Sequence, residues 1–479
     1  MKLNAQDLSR EEQERVHAES LRILSEVGVK FLGERALPIL KKHGARVDEE
    51  TRIARLPPEM VAEALASTPR SFVLGARNPA YDYPVPSPVT RYCIDGTSAF
   101  VLDFATGERR YGTKADIRDS LRVFQQMDLG VMAWAPTCAS EAPAGSRALH
   151  EFFTTIRYSS KHVEHELHFT GQVSFLVDGL VALMGSKQAV RQRHAFSLIY
   201  CPVAPLMHDG QMLDAYLELG NLDLPVQIMP MPTTGTTGPA SLFGNICVAN
   251  AEALSAIVVY QMAHPGRPLI HSNATGTVDL RNGMYLGGTP EMGLMSAALT
   301  QMGRFYGLPT GAAGCTADAK QPGPEAILEK LVTTIPAVCA GADVITGLGE
   351  MESDQLLVLE QIVVDNELAH YCERLVNGVD SSESKDLYAD IAQVGPGGNY
   401  LKSRSTRLAA RSGEFLYPAL ADRHTFEGWQ DLGRPTIYTR ARQVVEQILA
   451  GPLADPLPEA AVRELDGILA AADKALAKE

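Results

Sequence analysis

The feature that most constrains the fold of this chain is a repeated alternation. Short apolar runs, bounded by proline, glycine or small residues, are each followed by a longer stretch with apolar residues at helical spacing. The runs fall at residues 91–94, 130–136, 161–168, 197–202, 225–231, 268–272, 308–313 and 343–347. The helical stretches fall at 114–126, 146–158, 172–184, 211–219, 245–264, 291–306, 324–340 and 354–372. Short continuous apolar runs suit strands buried on both faces, and parallel neighbours can be joined only through a crossover, usually a helix. Eight such units in series meet the needs of a closed cylinder, which leaves no sheet edge exposed. The expected fold is therefore α/β, a single (β/α)8 TIM barrel over residues 91–380. A helical N-terminal extension over 1–90 precedes it, and a C-terminal segment over 381–479 packs on it. In the extension Val16, Leu21, Ile23, Leu24, Val27, Leu37 and Leu40 recur roughly at helical spacing, and Pro84, Pro86 and Pro88 stiffen the entry to the first strand. Residues 99–103 and 109–111, around Thr106-Gly107, also read as a hairpin, either the first strand itself or an insertion after it.

Composition narrows the partners. A chain of 479 residues with 45% hydrophobic content can bury one large core. Its 57 acidic and 43 basic residues give a net charge of -14, which repels phosphate backbones and anionic lipid, so neither nucleic acid nor a membrane surface is expected as a partner. The seven cysteines are odd in number and form no CxxC pair, which argues against a disulfide framework or a zinc ribbon. The first ten residues contain no apolar core of a leader, and no uninterrupted apolar run is long enough to cross a bilayer; the expected location is cytoplasmic.

In such a barrel chemistry sits at the carboxyl ends of the strands. That rule nominates Asp95 after the first strand, Trp134, Cys138 and Glu141 after the second, His165 and His168 after the third, and Tyr200 and Cys201 after the fourth. It continues with Met229 and Met231, His271 and Asn273, Cys315, Asp318 and Lys320, and finally Gly347, Gly349 and Glu350. The run His162-Val-Glu-His165-Glu-Leu-His168 invites a metal reading, but on a strand His165 points away from the other two and no HExxH or CxxC completes a shell. No metal is expected. Lys320 could act as a Schiff-base lysine or be a solvated loop residue, and Cys315 could be a nucleophile or a small packing residue. Gly395-Pro-Gly-Gly398 reads as an anion cradle or as a plain chain reversal.

Several segments in series carry a resemblance: Val101-Leu-Asp-Phe-Ala-Thr-Gly-Glu108, Met229-Pro-Met-Pro-Thr-Thr-Gly-Thr-Thr-Gly-Pro239, Ala249-Asn-Ala-Glu252, His264-Pro-Gly-Arg-Pro268, Gly287-Gly-Thr-Pro-Glu291 and Val394-Gly-Pro-Gly-Gly398. Together they resemble the trimethylamine methyltransferase family of corrinoid-dependent enzymes over most of the chain. The resemblance implies a barrel that binds a methylated amine and presents a methyl group to the cobalt(I) of a corrinoid carried by a partner protein, with no cofactor bound tightly by the barrel itself. Trimethylamine-specific members carry pyrrolysine, whereas the glycine-rich region 311–323 here runs through in standard residues. The chain therefore is similar to the non-pyrrolysine branch, which resembles glycine betaine:corrinoid methyltransferase and takes quaternary amines such as glycine betaine, proline betaine or carnitine. Asn399 and Ser405 depart from the histidines expected of the family pattern in the tail.

A quaternary ammonium donates no hydrogen bond and is held by aromatic faces and nearby carboxylates. On that reading Glu350, His271 and Asp95 are the expected catalytic residues. Tyr92, Trp134, Tyr200, Phe243, Tyr306, Cys315 and Arg281 are the expected substrate contacts. Glu141 is an alternative counter-charge, and Arg91, Arg281 and His271 are candidate carboxylate partners. Two other readings stay open, a Lys320-dependent lyase or aldolase and a non-catalytic betaine-binding barrel. Barrels of this size commonly self-associate, so a homo-oligomer is expected.

Overall fold

Each apolar run becomes a strand of one parallel sheet in the structure, a computed structural model that describes residues 7–477. Residues 1–6 and 478–479 of the expected terminal segments lie outside the described residues. The strands are β1 (Arg91–Ile94), β2 (Gly130–Ala133), β3 (His162–His165), β4 (Phe196–Tyr200), β5 (Val226–Ile228), β6 (Leu269–His271), β7 (Gly311–Ala313) and β8 (Val344–Leu348). Around the sheet they run β6-β5-β4-β3-β2-β1-β8-β7. The seam between β6 and β7 is joined by a parallel bridge between His271 and Thr310, and the Ala313 N–H donates to the Asn273 carbonyl at 2.8 Å, so the cylinder closes. β2 stops short of the predicted 136 because Pro136 has no N–H for a ladder, and the residues around it bond the loop after β1 instead.

The crossover helices are α1 (Lys114–Gln125), α2 (Arg147–Tyr158), α3 (Val173–Met184), α4 (Gly210–Glu218), α5 (Leu242–Ala263), α6 (Pro290–Phe305), α7 (Pro324–Cys339) and α8 (Leu359–Asn377). Local chemistry sets several starts. Thr113 and Asp116 form a capping box at α1, and Thr289 caps α6 ahead of Pro290. α8 begins at Leu359, not at residue 354, because Glu350–Met351 first pairs antiparallel with Leu356–Leu357 and uses up that stretch of chain. Residues 100–102 and 109–111 do form a hairpin, inserted between β1 and α1, with strand Leu356–Leu357 added on its free edge. α5 is long and apolar enough to cross a bilayer, yet 78% of its apolar window is buried within the fold, where it packs on the first helix of the chain.

The segment before β1 contains the helices Arg10–Arg22, Ala36–Lys42 and Pro58–Ser67. It adds a small sheet of Val29–Phe31, Arg46–Asp48 and Ile53–Arg55, extended by Met207–His208 from the β4–α4 loop. A second hairpin, Phe72–Leu74 with Tyr83–Val85, plugs the amino-terminal end of the barrel, where Leu74, Tyr83 and Val85 join the lumen cluster of Cys93, Met132, Ile199, Ile270 and Val344. In the tail, helix Ile437–Ala450 packs on α8 and α1, and helix Glu459–Ala475 on α2 and α3.

Tilted strands stack their inward side chains in tiers drawn from alternate strands. Register and alternation place Met132, Ser197, Ile270 and Val344 in a lower tier, then Cys93, Glu164, Gln227 and Gly311. Trp134, Ile199, Ser272 and Thr346 come next, and Asp95, Glu166, Met229 and Ala313 face the open end. In the upper tiers the bulky members, Trp134, Ile199 and Met229, lie on β2, β4 and β5, and the small ones, Ser272, Gly311 and Ala313, on β6 and β7.

Candidate active site

Neighbouring strands β1 and β8 deliver acidic groups to the mouth. Asp95 follows β1 directly, and the Gly96 N–H donates to its Oδ1 at 2.9 Å. β8 leaves the sheet through Gly347, with φ 120°, where a Cβ would lie 2.0 Å from the Gly314 carbonyl oxygen, so only glycine fits. Glu350 follows on the short strand Glu350–Met351. The turn after it holds Glu352, Ser353 and Asp354 at φ 55°, 53° and 66°, three successive side-chain-bearing residues in the left-handed region. This strained turn brings the Asp354 N–H to Glu350 Oε1 and the Asp354 carboxyl beside Asp95 and Glu350.

Asp95 and Glu350 are 8% and 1% exposed, while Asp354 stands open at the rim. Burial pushes the Asp95 carboxyl up to about 6, against the Gly96 N–H and the Lys330 ammonium, which favour its charge. Glu350 is raised well above the usual carboxylate range by burial and, after the opposing pull of Lys330, by Asp95. Asp354 is raised by the protein packed around it and by the Asp95 and Glu350 charges. Three carboxyls this close oppose one another's ionisation, and with Lys330 already paired to Asp365 a bound cation would favour their charged forms and displace protons.

Beneath them lies a buried ion pair. Lys330 on α7 meets Asp365 on α8 at 3.0 Å, both fully buried. Its ammonium also donates to the carbonyls of Gly347, at 3.1 Å, and Cys315. Burial alone would lower its pKa, but Asp365 and its acidic neighbours leave it raised, so Lys330 stays charged and fully bonded. It fixes the ends of β7 and β8 and has no free lone pair for covalent chemistry.

Trp134 supplies the aromatic wall, 5% exposed, its ring so close to Gly96 that a Cβ there would fall 2.0 Å from Cδ2. A lid hairpin, Thr277–Val278 paired with Tyr285–Leu286, carries Tyr285 to within electrostatic reach of Glu350, Asp354 and Asp95. Deeper, burial pushes the Glu164 carboxyl up to about 8 in spite of a 2.9 Å hydrogen bond from Ser197 Oγ.

Of the expected residues, the structure brings together Asp95, Glu350 and Trp134. The others it places elsewhere, because parity along a strand decides which side chains reach the lumen. His271 points outward from β6, its ring 6.0 Å from that of Tyr306, and burial lowers it to about 4, so it is neutral. Tyr92 points outward from β1 into the layer containing Cys315 and Cys372. Tyr200 also points outward, its hydroxyl 2.8 Å from His208 Nδ1 and its ring beside Tyr216 and Tyr260. Tyr306 ends α6 and bonds Asn250 and His17, and Phe243 lies under the Arg15 guanidinium; both anchor the N-terminal segment. Cys315 is buried behind β7. Arg281 sits in the lid turn, 89% exposed and paired with Asp279 at 2.8 Å. Glu141 caps α1 by accepting from the Lys114 N–H, and Arg91 pairs with Glu373 at the closed end.

The three histidines separate in the same way. His162 bonds the Gly75 carbonyl and Ser197 inside the barrel, His165 faces Glu151 outside it, and His168 pairs with Glu166 at the rim. Among the described residues no group of three or more His, Cys, Asp or Glu side chains is arranged to hold a metal ion. Sequence reasoning missed Asp354, which it assigned to a helix, and the Lys330–Asp365 pair, whose members lie on two different helices. The acid-rich Gly349-Glu-Met-Glu-Ser-Asp354 after a glycine-punctuated strand was the available signal for the first.

Comparison with known proteins places these features in context. The family model described as trimethylamine methyltransferase (MTTB) matches residues 3–476. The chain is 30% identical over 473 residues to the trimethylamine methyltransferase MttB of Methanosarcina barkeri, covering 97% of this chain and 94% of that protein. It is 28% identical over 458 residues to the glycine betaine methyltransferase of Desulfitobacterium hafniense (strain Y51), covering 94% of each. Among solved structures, the Methanosarcina barkeri monomethylamine methyltransferase (MtmB) superposes with a TM-score of 0.51 at 10% identity, over 99% of this chain and 89% of that one, a likeness of fold.

Proposed function

The chain belongs to the trimethylamine methyltransferase family, and from that premise we propose that it takes a methyl group from a small quaternary amine, glycine betaine first, and delivers it to the cobalt of a corrinoid held by a partner protein. Three observations support this reading. Region 311–323 has no pyrrolysine, and a quaternary-amine enzyme stands among the relatives. The observation that carries it is the mouth itself, where buried Asp95 and Glu350, rim Asp354 and the Trp134 ring form a site for a cation that needs no hydrogen bonds.

The residues' work follows from the charge of the substrate. A quaternary ammonium leaves as a neutral tertiary amine, so no general acid has to protonate it. The reduced corrinoid supplies the nucleophile when its protein docks. Asp95, Glu350 and Asp354 hold the ammonium, and Trp134 with the lid residue Tyr285 limits its orientation and excludes water, a positioning effect. Once the nitrogen has lost its charge, the carboxyls, raised as they are, take protons back from solvent and the attraction for the amine disappears. Leu280 and Met284 on the lid, with Met231 and Val203 on neighbouring loops, leave apolar side chains exposed around the mouth, a surface suited to a docking partner.

A lysine-dependent lyase is not favoured, since Lys320 is exposed and its ammonium donates to the Asp318 carbonyl at 2.6 Å. The test is incubation with a reduced corrinoid protein and, separately, glycine betaine, proline betaine, carnitine and trimethylamine. Methylation is followed in the corrinoid absorbance and the demethylated amine by mass spectrometry. Methyl transfer from a quaternary amine is expected. Transfer from trimethylamine alone, or binding of betaine without transfer, contradicts the reading.

A further inference from the structure

The tiers below the acidic mouth are polar where barrel interiors are usually filled by branched apolar side chains. Gln227, Ser272 and Glu164 project into the lumen and are fully buried. Both amide atoms of Gln227, Ser272 Oγ and Glu164 Oε1 have no hydrogen-bond partner among the described residues. Buried polar atoms are rarely left this way, and several together mark a place where a polar ligand completes the set. Gly311 draws two of these groups together. A Cβ there would fall 2.7 Å from Ser272 Oγ and 3.3 Å from Gln227 Oε1, so glycine lets both side chains lie side by side against the β7 backbone.

We propose that this set of buried polar groups is a carboxylate subsite, in which Gln227 Nε2 and Ser272 Oγ donate to the carboxylate of a zwitterionic substrate whose ammonium lies above it at Asp95 and Glu350. The inference rests on the quaternary-amine reading and narrows it to betaines. It also orients the substrate, with the carboxylate deep, the ammonium in the acidic tier and a methyl group turned to the open end. Glu164 does not oppose the anion, because with its carboxyl pushed up to about 8 by burial it is protonated at neutral pH and is itself a donor. No arginine is needed, consistent with Arg281 being exposed and already paired.

Calorimetric titration of the full chain with glycine betaine and with choline, which has the same cationic head and no carboxylate, tests the assignment. The parent is expected to prefer betaine. Ser272→Ala and Gln227→Met should each cut that preference by roughly tenfold while leaving choline binding unchanged, the size expected for one hydrogen bond to a charged group. Gly311→Ala, whose methyl group would displace Ser272 Oγ, should weaken betaine more than choline. Thermal melts establish that each variant is folded, and the small Ser272→Ala change decides the matter if Gln227→Met is not. If the parent binds quaternary amines but the variants keep its betaine-to-choline ratio, the subsite is overturned and the wider reading stands. The same holds if choline is preferred. Binding of neither ligand overturns both.

Discussion

The carboxyl groups at the mouth tie residue chemistry to measurable behaviour. Glu350→Gln preserves shape and removes charge, and should weaken quaternary-amine binding roughly tenfold, whereas Glu108→Gln on the exposed hairpin should leave it unchanged. Titration calorimetry of both variants checks this, and equal affinities would make Glu350 a scaffold residue. pH acts in opposite directions on folding and on binding. Asp95 is raised to about 6, so its contribution to stability is full below the unfolded carboxylate value and is lost as pH rises through about 6. A bound cation favours the ionised carboxyls, so the increase in Tm produced by betaine should grow from about pH 5 to about pH 8. A shift that shrinks over that range would contradict the site. Candidate residues were legible only by position along the chain. Strands buried on both faces show no polar alternation, so Tyr92, Tyr200 and His271 read as strand-end candidates although they point outward. Gln227 and Ser272, two tiers and one tier below the mouth, gave no signal at all.

At the scale of elements, eight strand–helix units were visible because each apolar run is punctuated and each helix is long enough to show its period. Their ends were less visible. α8 was predicted to begin at residue 354 because nothing in the local composition announces a hairpin of two-residue strands, Glu350–Met351 and Leu356–Leu357, and the left-handed turn at 352–354 occurs without glycine. The junction of β7, β8 and α7 depends on Lys330. Lys330→Met leaves Asp365 buried and unpaired and releases the carbonyls of Gly347 and Cys315, a loss of about 3–5 kcal/mol. Denaturant unfolding should show it, and a change within error would mean that water replaces the ammonium. Gly347→Ala meets both a φ of 120° and the Gly314 carbonyl, so backbone strain alone should cost about 1–3 kcal/mol and displace Glu350 with the strand end. Unaltered stability together with unaltered betaine affinity would contradict that view of the turn.

For the whole molecule, the closed cylinder explains why the site has one entrance. The hairpin of Phe72–Leu74 and Tyr83–Val85 seals the amino-terminal end, and the lid beside Tyr285 leaves the carboxyl end as the way in. The tail exposes Tyr388, Leu401, Phe415, Tyr417 and Phe426, an apolar spread of the kind that self-association covers. Sedimentation is expected to show an oligomer, and a monomer at micromolar concentration would count against it. The barrel, the family and the acidic strand ends could all be anticipated from the sequence. The convergence of β1 and the turn after β8 on one cluster of carboxyls could not, because it depends on closure between segments far apart in the chain. The central claim is that a quaternary ammonium is held by Asp95, Glu350 and Asp354, whose protons it displaces. Titration of glycine betaine near pH 6 in buffers of different ionisation enthalpy measures this directly. The account predicts net proton release on binding, strongly reduced in the Asp95→Asn, Glu350→Gln double variant, where Asp354 alone can still titrate; binding heats independent of the buffer, or release undiminished in that variant, would contradict it.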